Sequence, residues 1–447
     1  MYGILIICFS PSVQLYYGVT NTANDFKNSE MNFEQKPPRD FSKQNQIGIL
    51  GVHATQFALD IFVSVFLVSR LLEISNGNFS SVALFYLVCW GSLFVMFWLF
   101  SYVIKKFSRV WCIRASTAGL LLSIILILLL KDNLGTYYLL LATIYGVSAG
   151  VYWCSMHTFT TEALGGKKMA GYTAWFIGIA AFTRILFPFT LGAIIQFVNF
   201  ATAASIATGL AVILLVFTLV LRDQKKTDGQ GFSMRRFFRH VKERKLSRPF
   251  WAQFWIQTLY GIIGVATICV TVIVAMEFDN FRLGYLTSIF AGVSIIVLAV
   301  YKAIKAPRGK IWLYYMFSAL PLLMALGLLF GLNPVTVILC QAGYLSFKTS
   351  TQSELERARM NLMSDFDAEH LHTEGLFFIE AAYTMARYVG LGCVIAIYFS
   401  GQIYLLQVFL VILMSALLIA AIVLRIWTKK FLHVQKNEVL ESLPANN

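Results

Sequence analysis

Five ionisable side chains stand inside long apolar stretches of this sequence, where a charge is hard to accommodate. They are Asp60, Arg184, Lys348, Glu380 and Arg387. A charged side chain in hydrocarbon costs about 2.5–3.5 kcal/mol on insertion scales, so such residues usually face a cavity or an oppositely charged partner. The sequence contains no nucleophile elbow, phosphate-binding loop or zinc-protease motif that would turn these groups to catalysis. Their pattern instead indicates movement of a proton or a charged solute through a membrane.

Asp60 belongs to a polar face within the first apolar stretch. His53, Gln56 and Asp60 are spaced i, i+3 and i+7, which places all three on one side of a helix. Asp60 lies near the middle of the stretch, and a carboxyl group there is able to carry a proton. Histidine changes its charge near neutral pH, so His53 is predicted to modulate the proton step. This face therefore predicts a proton pathway.

Similar polar stripes occur in three further apolar stretches. Their members are Tyr145, Ser148, Tyr152 and Ser155; Gln253, Gln257 and Tyr260; and Gln341, Tyr344, Lys348 and Gln352. Uncharged stripes also hold neighbouring membrane helices together by hydrogen bonds, and for any one of these uncharged residues that structural role is the favoured interpretation. For Asp60 and Lys348 a role in transport is favoured, because buried charges are mostly functional.

The remaining internal charges form a second group. Glu380 and Arg387 are seven residues apart and share a helix face, and Arg184 stands in a separate apolar stretch. They either gate a cavity by exchanging partners or form a permanent ion pair that fixes helix packing, and both interpretations stay open. Two internal acidic and three internal basic residues leave one positive charge in excess, which favours a substrate with an acidic group.

The composition explains where these residues must be placed. The 447-residue chain is 58% hydrophobic and only 13% charged, with a mean hydropathy of +0.70, whereas a soluble domain is about a quarter charged. A membrane-crossing helix needs about 20 apolar residues. Such stretches lie at roughly 47–69, 80–103, 111–130, 135–158, 171–197, 200–221, 250–275, 283–303, 311–331, 334–352, 373–398 and 402–425.

The basic residues predict the orientation of these spans. Of 36 lysines and arginines, 30 lie in the tail and in the segments that follow even-numbered spans, three follow odd-numbered spans, and three are internal. Basic loops stay in the cytoplasm. We therefore expect a multi-pass protein of the cell (inner or plasma) membrane with both termini cytoplasmic. The net charge of +14 follows this loop pattern, which argues against nucleic-acid binding.

The same pattern divides the chain into segments. We predict a disordered polar tail over 1–46, a helical bundle over 47–221, a basic cytoplasmic linker over 222–249, a second bundle over 250–425 and a cytoplasmic tail over 426–447. Met31 is an alternative start. Within the linker, Phe237 to Lys242 is compatible with an interfacial helix on anionic lipid, although a solvated linker is the favoured interpretation. Ala180-Ala181-Phe182-Thr183 resembles Ala381-Ala382-Tyr383-Thr384, which indicates an internal repeat.

One loop motif resembles that of a known family. Between the second and third spans the chain reads Ser101-Tyr-Val-Ile-Lys105-Lys106-Phe107-Ser108-Arg109-Val110. This is similar to the Gly-x-x-x-Asp-Arg-x-Gly-Arg-Arg loop of the major facilitator superfamily, with Lys106 and Arg109 at basic positions and Lys105 in place of the aspartate. With the twelve spans and the central basic loop, the resemblance implies an all-α integral membrane fold of about 12 transmembrane helices in two pseudo-symmetric six-helix bundles. In that family the first, fourth, seventh and tenth helices line the central cavity.

These observations predict a secondary active transporter and not an enzyme. We expect proton-coupled transport by alternating access, with a small organic solute that is anionic or amphipathic as the substrate. The predicted substrate and proton pathway comprises His53, Gln56, Asp60, Tyr152, Arg184, Gln257, Tyr344, Lys348, Glu380 and Arg387. A monomer that contacts substrate, protons and membrane lipids is expected, without a cofactor or a metal site; the polar cluster from Asp365 to His372 is interpreted as a plain loop. The alternatives are a transporter of lipid-linked precursors and a non-transporting sensor or partner subunit.

Overall fold

The structure, a computed structural model, describes residues 43–104, 107–131, 133–164, 167–222, 231–243, 247–275, 280–304, 307–331, 335–337, 339–348, 366 and 371–442. The predicted N-terminal tail lies almost wholly outside these ranges. Regular secondary structure in the described residues is helical throughout. Helices are the expected outcome for apolar stretches in a bilayer, because a helix satisfies every backbone hydrogen bond within the segment itself.

The first apolar stretch forms three consecutive helical pieces. Helix α1 spans Lys43–Ile61, a π-helical turn spans Phe62–Leu67, and α2 spans Val68–Ile74. The other helices are α3 (Phe79–Val103), α4 (Arg109–Leu130), α5 (Leu134–Leu164), α6 (Lys167–Phe197), α7 (Phe200–Val220), α8 (Met234–Glu243), α9 (Ser247–Ala275), α10 (Asn280–Ala303), α11 (Pro307–Leu326), α12 (Val335–Lys348), α13 (His372–Phe399) and α14 (Ile403–Ser442).

Short polar residues define where several helices begin. The Asn78 side chain accepts a hydrogen bond from the Ser80 amide at the start of α3, at 2.9 Å. Ser108 does the same for α4 and Asn199 for α7, at 3.2 Å and 2.7 Å from the amides that they cap. These contacts satisfy amide groups that have no partner within the first helical turn.

Eight helices in the described part of the chain are long and apolar enough to cross a membrane. They are Phe79–Val103, Arg109–Leu130, Leu134–Thr160, Gly178–Phe197, Phe200–Val220, Ile311–Phe330, Thr373–Phe399 and Tyr404–Val423. The protein is therefore a multi-pass, all-helical membrane protein, as the sequence predicts. The full count of twelve spans in two six-helix bundles stays a prediction.

The first of two compact units contains the described residues up to Phe232 together with Thr267–Ile296. In it, α5 packs against α3 and α4, while α1 packs against α6 and α7. Gly146 and Gly150 allow α5 to approach α3 closely, because a Cβ atom at either position would lie 2.3 Å from a backbone carbonyl oxygen of α3. Small residues four apart are a common device for such helix contacts in membranes.

The second unit contains Ser233–Ala266 and the described residues from Val297 onward. Helix α14 packs against α11 and α13, and α8 packs against α13. Phe237 and Val241 of α8 are buried in a cluster with Phe250, Phe366 and Leu371. The segment favoured as a solvated linker thus contains an amphipathic helix that is packed on one face. The predicted domain boundaries themselves stay predictions.

Candidate functional site

The Asp60 carboxylate is held by hydrogen bonds at one oxygen, and its other oxygen has no hydrogen-bond partner among the described residues. Its Oδ1 accepts a hydrogen bond from Gln56 Nε2 at 2.8 Å and another from the Tyr145 hydroxyl at 2.6 Å. Oδ2 is buried and has no hydrogen-bond partner among the described residues. A buried oxygen of this kind normally has a partner, so its environment favours the arrival of a proton or a ligand group.

A π-helical turn begins at Phe62, two residues after Asp60. The turn Phe62–Leu67 is completely buried, and the Ser64 hydroxyl within it donates to the backbone carbonyl of Asp60. The Tyr86 hydroxyl of α3 in turn donates to the carbonyl of Ser64 at 3.4 Å. Single π-helical turns in α-helices are frequent at functional sites. The hydrogen bonds of this turn hold the backbone at Asp60 and Ser64 in place beside α3.

Aromatic and basic side chains surround this carboxylate. His53 stacks on Trp153 and on Phe57, with ring centroids 6.2 Å and 6.0 Å away. The Arg184 guanidinium carbon lies 5.5 Å from the Phe57 ring centroid, and Arg184 is close enough to interact electrostatically with Asp60. Tyr152 is fully buried, and its hydroxyl has no hydrogen-bond partner in the described part of the chain.

The first unit therefore brings together half of the predicted pathway residues. Gln56 donates a hydrogen bond to Asp60, and Arg184 and Tyr152 lie close enough to Asp60 to interact with it electrostatically. His53 packs beside Phe57, one helical turn further along α1. We call His53, Gln56, Asp60, Tyr145, Tyr152 and Arg184 the Asp60 cluster. Its members come from α1, α5 and α6, so residues distant in the sequence converge at one place.

Lys348 of the second unit is buried against aromatic faces. Its Nζ lies 5.6 Å from the ring centroid of Tyr260 and 5.9 Å from that of Tyr344, which is a cation–π geometry. The Gln257 side chain on α9 is also buried, and its Oε1 has no hydrogen-bond partner among the residues described. Of the predicted pathway residues, the structure thus groups Tyr344 with Lys348.

Glu380 and Arg387 form an ion pair within α13. Arg387 Nη1 lies 3.8 Å from Glu380 Oε1, and the two side chains are 0% and 4% exposed. The Thr384 hydroxyl donates to the same carboxylate oxygen at 3.4 Å, and the Arg387 guanidinium carbon lies 4.1 Å from the Tyr383 ring centroid. Both charges are therefore balanced locally, which supports the structural interpretation of this pair.

The predicted loop motif is described only in part. Lys105 and Lys106 lie outside the described residues, as do all residues from Asp365 to His372 of the polar cluster except Phe366 and Leu371 and the backbone of His372. Arg109 is buried at the start of α4. Ser101 and Ser108, at the glycine positions of the motif, make local hydrogen bonds: Ser101 donates to the Phe97 carbonyl and Ser108 caps α4.

The sequence alone does not reveal three parts of these sites. Nothing in the residues 62–67 predicts a π-helical turn, because all are ordinary apolar or small residues. The aromatic contact between His53 and Trp153 depends on how α1 and α5 pack, and its only trace in the sequence is that Trp153 follows Tyr152 of the polar stripe. The Tyr383 ring, in the second copy of the repeated motif, lies against the Arg387 guanidinium group. The sequence signal for this contact is weak, because it consists only of a tyrosine at the position where the first copy has Phe182.

The helical spans and their buried charges define a polytopic membrane protein of the transporter class. A model of the Major Facilitator Superfamily matches residues 47–353, which is more than half of the chain. The protein belongs to this superfamily, and it is a transporter rather than an enzyme. No curated protein matches the sequence.

Solved transporter structures share the fold at low sequence identity. A bacterial homologue of the iron transporter ferroportin, in an outward-facing state, is 15% identical with a TM-score of 0.58, over 87% of this chain and 99% of that one. The nucleoside transporter NupG is 12% identical with a TM-score of 0.59, over 85% and 99%. A POT family transporter in complex with 5-aminolevulinic acid is 11% identical with a TM-score of 0.59, over 86% and 96%.

Proposed function

We propose that this protein is a proton-coupled secondary transporter of a small organic solute that carries an acidic group. The observation that carries the proposal is the Asp60 carboxylate, which is buried, held at Oδ1 by two donors, and without a hydrogen-bond partner at Oδ2 among the described residues. An ionisable group in a membrane span is a candidate for the transport pathway by default. Alternating access then links its protonation to the movement of the substrate.

Asp60 is the proposed site of proton binding. Gln56 and Tyr145 fix the carboxylate through Oδ1, so a proton is received at Oδ2. Arg184 acts on the same carboxylate electrostatically, and it loses part of this interaction when Asp60 is protonated. A change in proton occupancy therefore alters how strongly Arg184 attracts an anionic substrate. This coupling of two binding events through the electrostatic interaction of Asp60 with Arg184 is the proposed basis of symport.

Lys348 is the proposed contact for the acidic group of the substrate. Its ammonium group is buried between tyrosine rings, which attract a cation through their faces without carrying a negative charge. Arg387 lies 3.8 Å from Glu380 within α13, and this pair is interpreted as structural. Among the proteins of similar fold, one is described in complex with 5-aminolevulinic acid, a carboxylic acid, and its fold relationship supports testing this class first.

A binding screen tests the substrate class. Purified wild-type protein is heated with 5-aminolevulinic acid, other carboxylic acids, nucleosides or divalent metal ions, and the melting temperature is recorded. We expect carboxylic acids to raise the melting temperature, since a ligand that binds only the folded state stabilises it. Lys348→Ala is expected to weaken the binding of the best acid about tenfold or more, the effect of a lost charge-assisted contact of roughly 1.5–3 kcal/mol.

Two variants serve as controls for this screen. Lys348→Arg keeps the charge and is expected to retain most of the binding, whereas Lys131→Ala removes an exposed lysine and is expected to change nothing. Equal affinity of the best acid for the wild type and for Lys348→Ala would remove Lys348 from the site. Stabilisation by nucleosides or metal ions alone would contradict the proposed substrate class.

The setting of the transporter is also part of the proposal. The bias of basic residues toward the segments after even-numbered spans favours cytoplasmic termini in a cell membrane. We also propose a monomer as the working unit, and size-exclusion chromatography with light scattering of the purified protein in detergent tests it. Tagging either terminus and measuring its accessibility to a membrane-impermeant reagent on intact cells tests the orientation, and labelling from the outside would contradict it.

A further inference from the structure

One face of helix α8 presents basic side chains to the surroundings. Arg235, Arg239 and Lys242 are exposed and are spaced i, i+4 and i+7, so they lie along one side of the helix. Phe238 lies between them and is 42% exposed. Glu243 is the acidic residue of the helix and stands at its last position. We call Arg235, Phe238, Arg239 and Lys242 the basic face of α8.

The opposite face of α8 is fixed to the second unit. Phe237 and Val241 are buried, and the Phe237 ring centroid lies 4.9 Å from that of Phe366 and 5.5 Å from that of Phe250. At the start of the helix, the Ser233 amide donates to Glu374 Oε1 of α13 at 2.9 Å. The basic face is therefore held in a defined orientation, and a freely moving linker would not provide this.

Exposed aromatic residues continue this face toward the next helix. Phe238 packs at 5.5 Å from Phe378, and Trp251 packs at 6.2 Å from the same ring. Trp251 is 42% exposed and lies near the start of α9, four residues from its first residue. Tryptophan is enriched where a membrane helix meets the headgroup region. Cations beside such a residue lie at the level of lipid phosphates.

From this arrangement we propose that the basic face of α8 binds the headgroups of anionic phospholipids. Arg235, Arg239 and Lys242 would contact lipid phosphates, and Phe238 would insert between the headgroups, as in helices that lie in the membrane interface. A bilayer lipid fits better than a soluble anion because the exposed aromatic rings need an apolar partner. Since Glu374 and the aromatic cluster tie α8 to α13, bound lipid also stabilises the helix that carries Glu380 and Arg387.

The test is lipid binding by the full chain in detergent, followed by native mass spectrometry during titration with phosphatidylglycerol or phosphatidylcholine. We expect wild-type protein to bind phosphatidylglycerol in preference to phosphatidylcholine. The triple variant Arg235→Gln/Arg239→Gln/Lys242→Gln is expected to bind phosphatidylglycerol about 100-fold more weakly, since each basic side chain near an anionic surface contributes roughly fivefold. High salt is expected to weaken wild-type binding as well.

A matched variant separates this face from charge in general. Lys131→Gln/Arg222→Gln/Arg282→Gln removes three exposed cations that lie outside α8, and this variant is expected to bind nearly as the wild type does. Arg235→Lys/Arg239→Lys keeps the positive charges and is expected to retain phosphatidylglycerol binding. This result would show that Arg235→Gln/Arg239→Gln/Lys242→Gln loses binding because it loses charge. Equal losses in the two triple variants, or equal competition by inorganic phosphate and phosphatidylglycerol, would overturn the proposal.

Discussion

The first and seventh apolar stretches of the chain carry matching positions with opposite uses. Gln56 and Gln257 are 201 residues apart, and so are Asp60 and Gly261, one helical turn later. In α1 the glutamine donates to the carboxylate at 2.8 Å. In α9 the position equivalent to Asp60 is Gly261. An added Cβ atom there would lie 2.6 Å from Ala386 Cβ and 2.8 Å from the Tyr383 carbonyl oxygen.

From this difference we infer that the two halves of the chain use the equivalent position for different purposes. One repeat keeps a titratable group beside its glutamine, and the other uses the equivalent position for close contact between α9 and α13. The ionisable pathway residues predicted in the second unit lie instead on α12 and α13, as Lys348, Glu380 and Arg387. We therefore propose that proton binding depends on Asp60 of the first unit, and that Lys348 of the second unit contributes to recognition of the substrate charge.

Placing an aspartate at position 261, as at the equivalent position 60, gives the largest expected effect on stability. Gly261→Asp inserts a buried charge into the contact between α9 and α13. We expect it to destabilise the protein by about 5 kcal/mol or more, because overpacking adds to the several kcal/mol that an unpaired buried charge costs. Gly261→Ala adds bulk alone and is expected to cost about 1–3 kcal/mol through overpacking. The melting temperature and the fraction of monodisperse protein measure both effects.

Gly209 provides the control for the substitutions at Gly261. At Gly209, an added Cβ atom would meet nothing within 4 Å, so Gly209→Ala should leave the melting temperature unchanged or raise it slightly. If Gly261→Ala and Gly209→Ala had the same melting temperature, Gly261 would not be required for close packing of α9 against α13. The inferred structural role of position 261 would then be wrong.

The ion pair of α13 gives the next effect. Glu380→Gln leaves the buried Arg387 charge without its carboxylate, and we expect a loss of about 3–5 kcal/mol in stability. The exposed pair of Arg70 and Glu73, 2.8 Å apart, is the control, and Glu73→Gln should cost at most about 1 kcal/mol. Chemical unfolding in detergent measures the two losses. Equal losses would show that Glu380 and Arg387 are not a structural pair.

The Asp60 cluster gives a smaller effect on stability. Tyr145→Phe removes one donor to Asp60 Oδ1 and is expected to cost about 1.5–3 kcal/mol, because hydrogen bonds to charged groups are stronger than neutral ones. Tyr137→Phe, which alters an exposed tyrosine at the start of α5, is the matched control and should have no effect. If the two variants unfolded at the same denaturant concentration, Tyr145 would not hold the carboxylate.

Helix positions were predictable from the sequence because apolar length alone determines them. The predicted spans 80–103, 200–221 and 283–303 correspond to α3 (Phe79–Val103), α7 (Phe200–Val220) and α10 (Asn280–Ala303). The first stretch differs, since the π-helical turn divides it. Hydropathy reports the solvent around a helix and carries no information on its internal hydrogen bonding, so this interruption was not predictable.

The contents of the site were predictable only in part. The i, i+4 spacing of Gln56 and Asp60 predicts their contact, whereas the contact between Asp60 and Tyr145 depends on how α1 and α5 pack. The repeated motif shows the same limit. Phe182 is 64% exposed and its counterpart Tyr383 is 1% exposed, although their sequence neighbours are nearly identical. Environment at this level is decided by tertiary packing and not by the local sequence.

The proton role of Asp60 is tested most directly by separating driven transport from exchange. Wild-type and Asp60→Asn proteins are reconstituted in liposomes, and the best ligand of the binding screen is followed both under an imposed pH gradient and as exchange across the membrane without a gradient. We predict that Asp60→Asn loses gradient-driven accumulation and the accompanying proton uptake but retains exchange. Accumulation driven by the pH gradient at the wild-type level would contradict the account.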